Sequence, residues 1–111
     1  MITDTIVALS TPPGTSALAI VRVSGSLVPQ IITQFLSKSL PNKREMIYAP
    51  FIGRDNKPID SLMYSYFKGP ETFTGEDTLE LFPHGNMLIV KAIIAEITSI
   101  KNVRLAEPGE F

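Results

Sequence analysis

The chain has 111 residues, a formal net charge of −1 and no cysteine. This length makes one domain that buries about two-thirds of its unfolded surface, and the missing cysteine excludes disulfides, thiolate metal sites and a cysteine nucleophile within these residues. The longest basic cluster is Lys43-Arg44, so we expect no strong nucleic-acid binding by this domain alone. The first residues lack the basic start of a signal peptide, and no apolar run is long enough to span a bilayer. We therefore expect a cytoplasmic protein without a membrane anchor.

The region before residue 70 predicts strands on either side of a first helix. Two apolar runs, residues 5–10 and 17–23, predict strands, and we expect the second to be buried on both faces with Arg22 as its only charge. Hydroxyls in the segment 24–26 can cap a helix whose apolar residues recur at helical spacing up to residue 36. Two extended runs joined by a polar turn, residues 46–53 and 59–67, predict a hairpin.

The region after residue 70 predicts a loop, a strand, a second helix and a last short strand. Residues 78–82 alternate, which puts Glu80 on the face opposite the two leucines. Residues 86–102 predict a helix that is apolar around most of its circumference and needs cover on more than one side. With residues 103–106 as a short extended run, the chain predicts an α/β (α+β) fold: a mixed sheet of about five strands with two main helices.

Glu80 is out of pattern in the middle of an otherwise apolar strand. Removing even a neutral polar group from water without a partner costs about 2 to 7 kcal/mol, and a charge costs more, so the carboxylate needs a partner. That partner is either a structural arginine or a ligand edge with adjacent N–H donors, which a carboxylate accepts in a bidentate fork. Arg22 in turn is either a functional cation or a paired surface arginine at a strand end.

The remaining polar groups of the stretch 71–86 allow several interpretations. Glu76 with Glu80 could form a paired-carboxylate acid–base site, but Glu76 and Asp77 in a glycine-containing loop are also typical of a solvated turn. His84 is the lone histidine and has no cysteine or histidine partner for a tetrahedral metal site. Backbone N–H groups at the start of the second helix would face whatever lies at the end of the strand. The chain contains no P-loop pattern, so we expect it not to hydrolyse GTP.

Four stretches in order carry a resemblance to a known family. They are DTIVA (residues 4–8) with TPPG (11–14), IVRVSG (20–25), FTGED (73–77) with LEL (79–81) and HG (84–85), and PGEF (108–111). Together they span almost the whole chain. In sequence and spacing they resemble the N-terminal domain of the tRNA-modification GTPase MnmE, also called TrmE.

The resemblance implies a folate site. The family's N-terminal domain is similar in fold to the folate-binding part of the glycine-cleavage T-protein, and it binds 5-formyl-tetrahydrofolate or a related one-carbon tetrahydrofolate. Carried over by motif, the folate contacts fall on Arg22 and Glu80, and the ring N–H and amino group of a pterin form a donor pair that suits one carboxylate. Arg22 would meet the anionic folate tail or hold Glu80 in place. A third family contact, a lysine after the PGEF motif, falls past the last residue of this chain.

The resemblance also implies partners. Residues 1–111 would form a single folate-binding and dimerisation domain that assembles as a homodimer. In the full-length family the partners are the FAD-dependent protein MnmG and tRNA, and the reaction is carboxymethylaminomethyl modification of the wobble uridine. GTP, Mg and K belong to the family's GTPase domain, which these residues do not include, and neither do they include its helical domain.

Two other functions stay open. One is a dimerisation or interaction module with a degenerate folate site, because the family usually has glycines where this chain has Thr15 and Ser16, and also at Pro83 and Asn86. The other is a free-standing aminomethyltransferase-like enzyme, which is disfavoured by the size of the chain and by the lack of a second domain to close the site. Titration with 5-formyl-tetrahydrofolate separates the first of these from a working folate site.

Overall fold

A mixed β-sheet with two helices forms the domain. The computed structural model describes residues 4–10, 18–42 and 44–111. The strands are β1 (Thr5–Leu9), β2 (Val21–Ser24), β3 (Ile47–Ile52), β4 (Pro58–Phe67), β5 (Thr78–Phe82) and β6 (Val103–Leu105), and the helices are α1 (Val28–Phe35) and α2 (Met87–Thr98). The strand order is β3-β4-β5-β2-β1-β6, antiparallel except for the β1–β6 pair.

The α/β fold predicted from the sequence is confirmed, with one correction to the sheet. The described residues form six strands instead of about five. The last short strand predicted at residues 103–106 is present as β6, which has three residues and pairs with β1 in parallel. The similarity to the glycine-cleavage T-protein stays a prediction.

The strand register divides the sheet into a core face and an open face. One cross-strand row, Val7–Val23–Leu79–Tyr66, lies on the core face. These side chains form one buried cluster with residues of both helices, and Phe35 of α1 stacks on Phe51 of β3 with ring centroids 5.0 Å apart. Each aliphatic side chain buried there contributes about 1.5–3 kcal/mol of hydrophobic free energy. Because both helices pack on this side, the opposite face of the sheet, here called the open face, is left for other contacts.

Strand β2 differs from its prediction. It begins at Val21, after the described residues 18–20 of the predicted strand, and its open face is covered only in part: Ser24 is buried there, but the side chain of Arg22 is 45% exposed. The expectation of burial on both faces is wrong because the helices cover only the side of Val21 and Val23. The predicted strand start and the loop at residues 11–17, including Thr15 and Ser16, lie outside the described residues.

Helix α1 begins without the predicted serine cap. Its N-cap residue is Leu27, and no side-chain cap bond forms. The backbone N–H of Leu27 donates instead to Thr5 Oγ1 at 3.0 Å, which ties the helix start to β1. Gly25 permits this approach: its φ is +143°, and a Cβ there would lie 2.4 Å from Thr5 Oγ1. Ser24 therefore does not cap the helix, and its hydroxyl contacts the loop before β5.

Helix α2 is shorter than predicted and covered on one side. Asn86 caps it by accepting a hydrogen bond from the N–H of Leu88 at 2.8 Å, and the helix ends at Thr98 instead of residue 102. Leu88 remains 78% exposed, so the apolar circumference is not fully covered within the chain. The predicted β3–β4 hairpin is confirmed, and its turn is bound to α2 because Glu96 accepts hydrogen bonds from both the backbone N–H and Nε of Arg54. Among the described residues, no helix is long and apolar enough to cross a membrane.

Candidate ligand site on the open face of the sheet

The two site residues derived from the sequence face each other across the β2–β5 pair. Arg22 and Glu80 are register partners on the open face, and Arg22 Nε donates to Glu80 Oε2 at 2.7 Å. The structure thus supplies the partner that a mid-strand carboxylate requires. The side chain of Glu80 is 22% exposed, and among the described residues none donates a hydrogen bond to its Oε1. One carboxylate oxygen therefore remains available to a ligand.

The Arg22–Glu80 pair lines a cleft of about 600 Å³. Three aromatic side chains, Phe67, Phe73 and Phe111, line the same cleft together with Arg44. This volume lies in the range of about 300–1,000 Å³ that is usual for sites of drug-sized ligands. Aromatic walls with a few polar groups suit a ligand that has a flat ring and a polar edge.

The loop at residues 69–77 forms one wall of this cleft and is anchored through Asp77. The carboxylate of Asp77 accepts hydrogen bonds from the N–H of Gly69 at 2.8 Å and from the hydroxyl of Tyr66 at 3.2 Å. Its backbone carbonyl accepts from the N–H of Gly25 at 3.0 Å. Burial, reinforced by the nearby Asp77 carboxylate, raises the pKa of Tyr66, so Tyr66 stays a neutral hydrogen-bond donor at neutral pH.

Glu76 contributes a second anchor to the same loop. Its Oε1 accepts a hydrogen bond from Ser24 Oγ at 3.1 Å, and Ser24 also contacts Thr74 Oγ1 at 2.8 Å. Glu76 and Asp77 are therefore bound to neighbouring strands instead of forming a solvated turn. Because the base of the loop is fixed, Phe73 is held at the edge of the cleft although its side chain is 97% exposed.

His84 does not line this cleft. Its ring Nδ1 lies 2.8 Å from Asp60 Oδ1, and its backbone N–H donates to Asp60 Oδ2 at 2.9 Å. Asp60 is a residue of β4 whose side chain is only 8% exposed. Two backbone N–H groups at this point, those of His84 and Leu88, are thus bound to Asp60 and to the cap residue Asn86.

Four cleft residues could not be selected from the sequence: Arg44, Phe67, Phe73 and Phe111. In the sequence Arg44 belongs to a short basic cluster, and Phe67 is the last residue of the predicted hairpin. Phe73 and Phe111 stand in the FTGED and PGEF stretches, but the resemblance assigned a site role to neither of them. The tertiary fold brings these four together on the open face.

Comparison with known proteins identifies the family of this chain. A family model described as the GTP-binding protein TrmE N-terminus matches residues 5–111. Two relatives are named tRNA modification GTPase MnmE and are each 44% identical to this chain. The match to the protein of Wigglesworthia glossinidia brevipalpis covers 108 residues, 97% of this chain and 24% of the relative. The match to the protein of Sodalis glossinidius (strain morsitans) covers 109 residues, 98% of this chain and 24% of the relative. The protein of that name from Shewanella denitrificans is 41% identical over 111 residues, 100% of this chain and 24% of the relative. The chain thus spans about a quarter of the length of the curated relatives it matches. Because the family model covers nearly every residue, the chain belongs to the TrmE N-terminal domain family.

Proposed function

We propose that this chain is the tetrahydrofolate-binding and dimerisation domain of a tRNA-modification GTPase. The observation that carries the proposal is the Arg22–Glu80 pair in a cleft of about 600 Å³ with aromatic walls. The ligand is 5-formyl-tetrahydrofolate or a related one-carbon tetrahydrofolate. The folate's one-carbon unit serves the carboxymethylaminomethyl modification of the wobble uridine in tRNA.

Glu80 recognises the pterin in this proposal. Its Oε2 is held by Arg22, so the carboxylate is oriented before a ligand arrives. Its Oε1 accepts no hydrogen bond from a described residue and can accept one from the donor pair of the pterin. Its Oε2 accepts from Arg22 Nε and can use its second lone pair for the other pterin donor. Arg22 thus positions Glu80 for the ligand.

Exposed apolar side chains on the open face support the dimerisation part of the proposal. Tyr48, Met63 and Phe82 form a cross-strand row on this face, and the side chain of Tyr48 is 68% exposed. Met46 and Leu18 are further exposed apolar residues, at 53% and 49%. A contiguous apolar patch on a soluble domain usually marks an interface, and identical chains most often close it with two-fold symmetry.

The other components of the reaction lie outside these residues. GTP, Mg and K act in the GTPase domain of the full-length protein, and tRNA and the FAD-dependent protein MnmG are its partners. All of this takes place in the cytoplasm.

Calorimetric titration with 5-formyl-tetrahydrofolate tests the folate site. We expect saturable binding with one folate per chain, and a loss of at least about tenfold in affinity for Glu80→Gln, the value of one charge-assisted hydrogen bond. Glu96→Gln is the matched control, because Glu96 is also paired with an arginine but lies on α2, away from the cleft. A folded wild-type chain that dimerises without binding folate would contradict the folate site and support the interaction module instead.

A further inference from the structure

Arg44 is the unpaired cation of the cleft. Its guanidinium lies over the ring of Phe67, with Cζ 5.3 Å from the ring centroid, and its Nη2 donates to the backbone carbonyl of Glu71. No carboxylate of the described residues lies within ion-pair distance of it. A guanidinium carries five N–H donors in a planar fork, so most of the donors of Arg44 are not used within the described part of the chain.

The other arginines of the chain are neutralised by carboxylates. Arg22 pairs with Glu80, Arg54 pairs with Glu96, and Arg104 pairs with both Asp4 and Glu110. Among the described arginines, Arg44 alone lines the cleft without such a partner. The stack on Phe67 and the bond to a backbone carbonyl hold its position without cancelling its charge.

The cleft therefore contains one ion pair without net charge and one positive charge that no carboxylate of the described residues balances. The Arg22–Glu80 pair is neutral as a whole and offers a hydrogen-bond acceptor, whereas Arg44 offers a positive charge with donors beside aromatic side chains. A ligand that uses both carries a polar, donor-rich ring and an anionic group. The arrangement of donors in a guanidinium matches a carboxylate in a bidentate contact.

We propose that Arg44 binds the carboxylate group of the ligand in the cleft. This inference rests on the proposed function, and in folate the carboxylate group is the glutamyl tail. Arg44 is thereby a specificity-determining residue: it selects tetrahydrofolates with an ionised glutamyl group over the same ring system with a neutral tail. Arg22 and Glu80 select the ring, and Arg44 selects the anionic group.

The test compares two ligands on the same protein. One is 5-formyl-tetrahydrofolate, and the other is its dimethyl ester, in which both glutamyl carboxylates are neutral. We expect the wild-type chain to bind the acid about tenfold more tightly than the ester, the value of one charge-assisted contact. In Arg44→Gln this preference should fall below about threefold, while Arg44→Lys keeps part of it through the charge. Arg54→Gln is the matched control and should keep the full preference, because Arg54 lies at the β3–β4 turn against α2.

The ratio of the two affinities makes the outcomes distinct. Each variant is its own reference, so a general loss of stability does not change the ratio. If the wild-type chain binds neither ligand, the proposed folate function fails. If the wild-type chain binds folate but Arg44→Gln keeps the wild-type preference for the acid, or weakens acid and ester equally, the role of Arg44 is wrong while the folate site stands.

Discussion

Replacing Glu80 with glutamine distinguishes a ligand-binding role from a structural one, because the two roles predict losses of different size in folate affinity and in the free energy of unfolding. The Arg22–Glu80 pair has a distance of 2.7 Å, but its side chains are 45% and 22% exposed. Ion pairs exposed to this degree contribute about 0.2–1 kcal/mol to stability, since solvent screens them. We therefore expect Glu80→Gln to lower the free energy of unfolding by less than about 1 kcal/mol.

The effect of the same substitution on folate affinity should be larger. A hydrogen bond from a ligand to an ionised group is worth about 1.5–3 kcal/mol, which corresponds to about 10- to 150-fold in Kd. Glutamine keeps the shape of the side chain but replaces one acceptor oxygen with a donor, which opposes the donor pair of a pterin. The substitution thus affects binding more than folding.

Urea denaturation followed by circular dichroism, together with calorimetric titration of the same samples, measures both quantities. The double variant Arg22→Gln/Glu80→Gln completes a cycle, and its coupling in the free energy of unfolding should stay below about 1 kcal/mol. The reasoning is refuted if Glu80→Gln lowers the free energy of unfolding by more than about 2 kcal/mol and changes folate affinity by a similar or smaller amount. Glu80 would then hold the sheet together instead of binding the ligand.

Three further predictions concern the loop, the pH dependence and a close backbone contact. Phe73→Ala should weaken folate binding by about three- to tenfold, the value of one aromatic contact, without changing the unfolding temperature, because the side chain is 97% exposed; unchanged affinity would contradict a role in the cleft. Hydrogen bonds from Arg104, with a further one from the N–H of Glu107, lower the pKa of Glu110 from 4.5 to about 2, so this pair stabilises the folded state fully above pH 4.5 and loses that effect as the pH falls towards 2. Thermal unfolding should therefore show a steeper acid loss for wild type than for Glu110→Gln, and equal slopes would refute the assignment. Gly75 has φ +79° and open space around it, so Gly75→Ala should lower the free energy of unfolding by about 1–2 kcal/mol. Gly25→Ala also places a Cβ 2.4 Å from Thr5 Oγ1 and should lower it by about 1–3 kcal/mol more. Equal losses for the two variants in urea denaturation would contradict the close contact.

The sequence predicted those features that depend on local pattern. Alternation over residues 78–82 placed Glu80 opposite the leucines of its strand, and the structure has this arrangement. The hairpin and both helices were also predicted, because helical spacing and turn residues are local signals. The register of β2 and β5, which brings Arg22 opposite Glu80, depends on tertiary pairing. The pattern of residues indicated only that Glu80 needs a partner, and the family resemblance gave holding Glu80 as one of two roles for Arg22.

What the sequence missed depends on which face the helices cover. Residues 17–23 look buried on both faces, since an apolar run has the same pattern whether one or both faces are covered. Only the packing of α1 and α2 on one side of the sheet shows that Arg22 is exposed. The same packing leaves Arg44, Phe67 and Phe111 beside the open face, and no periodicity links residues so far apart in the chain.

The dimer and the folate site should be coupled, because they share the open face. Phe82 of the apolar row and Glu80 of the cleft lie two residues apart on β5, and thus about 7 Å from each other along one face of the strand. A second chain packed on Tyr48, Met63 and Phe82 therefore comes close to the cleft, and ordering of one site lowers the cost of ordering the other. We expect sedimentation equilibrium to show a dimer that becomes tighter when 5-formyl-tetrahydrofolate is added. Tyr48→Lys should weaken the dimer, since it places a charge in the apolar row, whereas Lys101→Glu, outside that row, should not. A monomer at every concentration would refute the dimer. A dimer with the same dissociation constant with and without folate would refute the coupling.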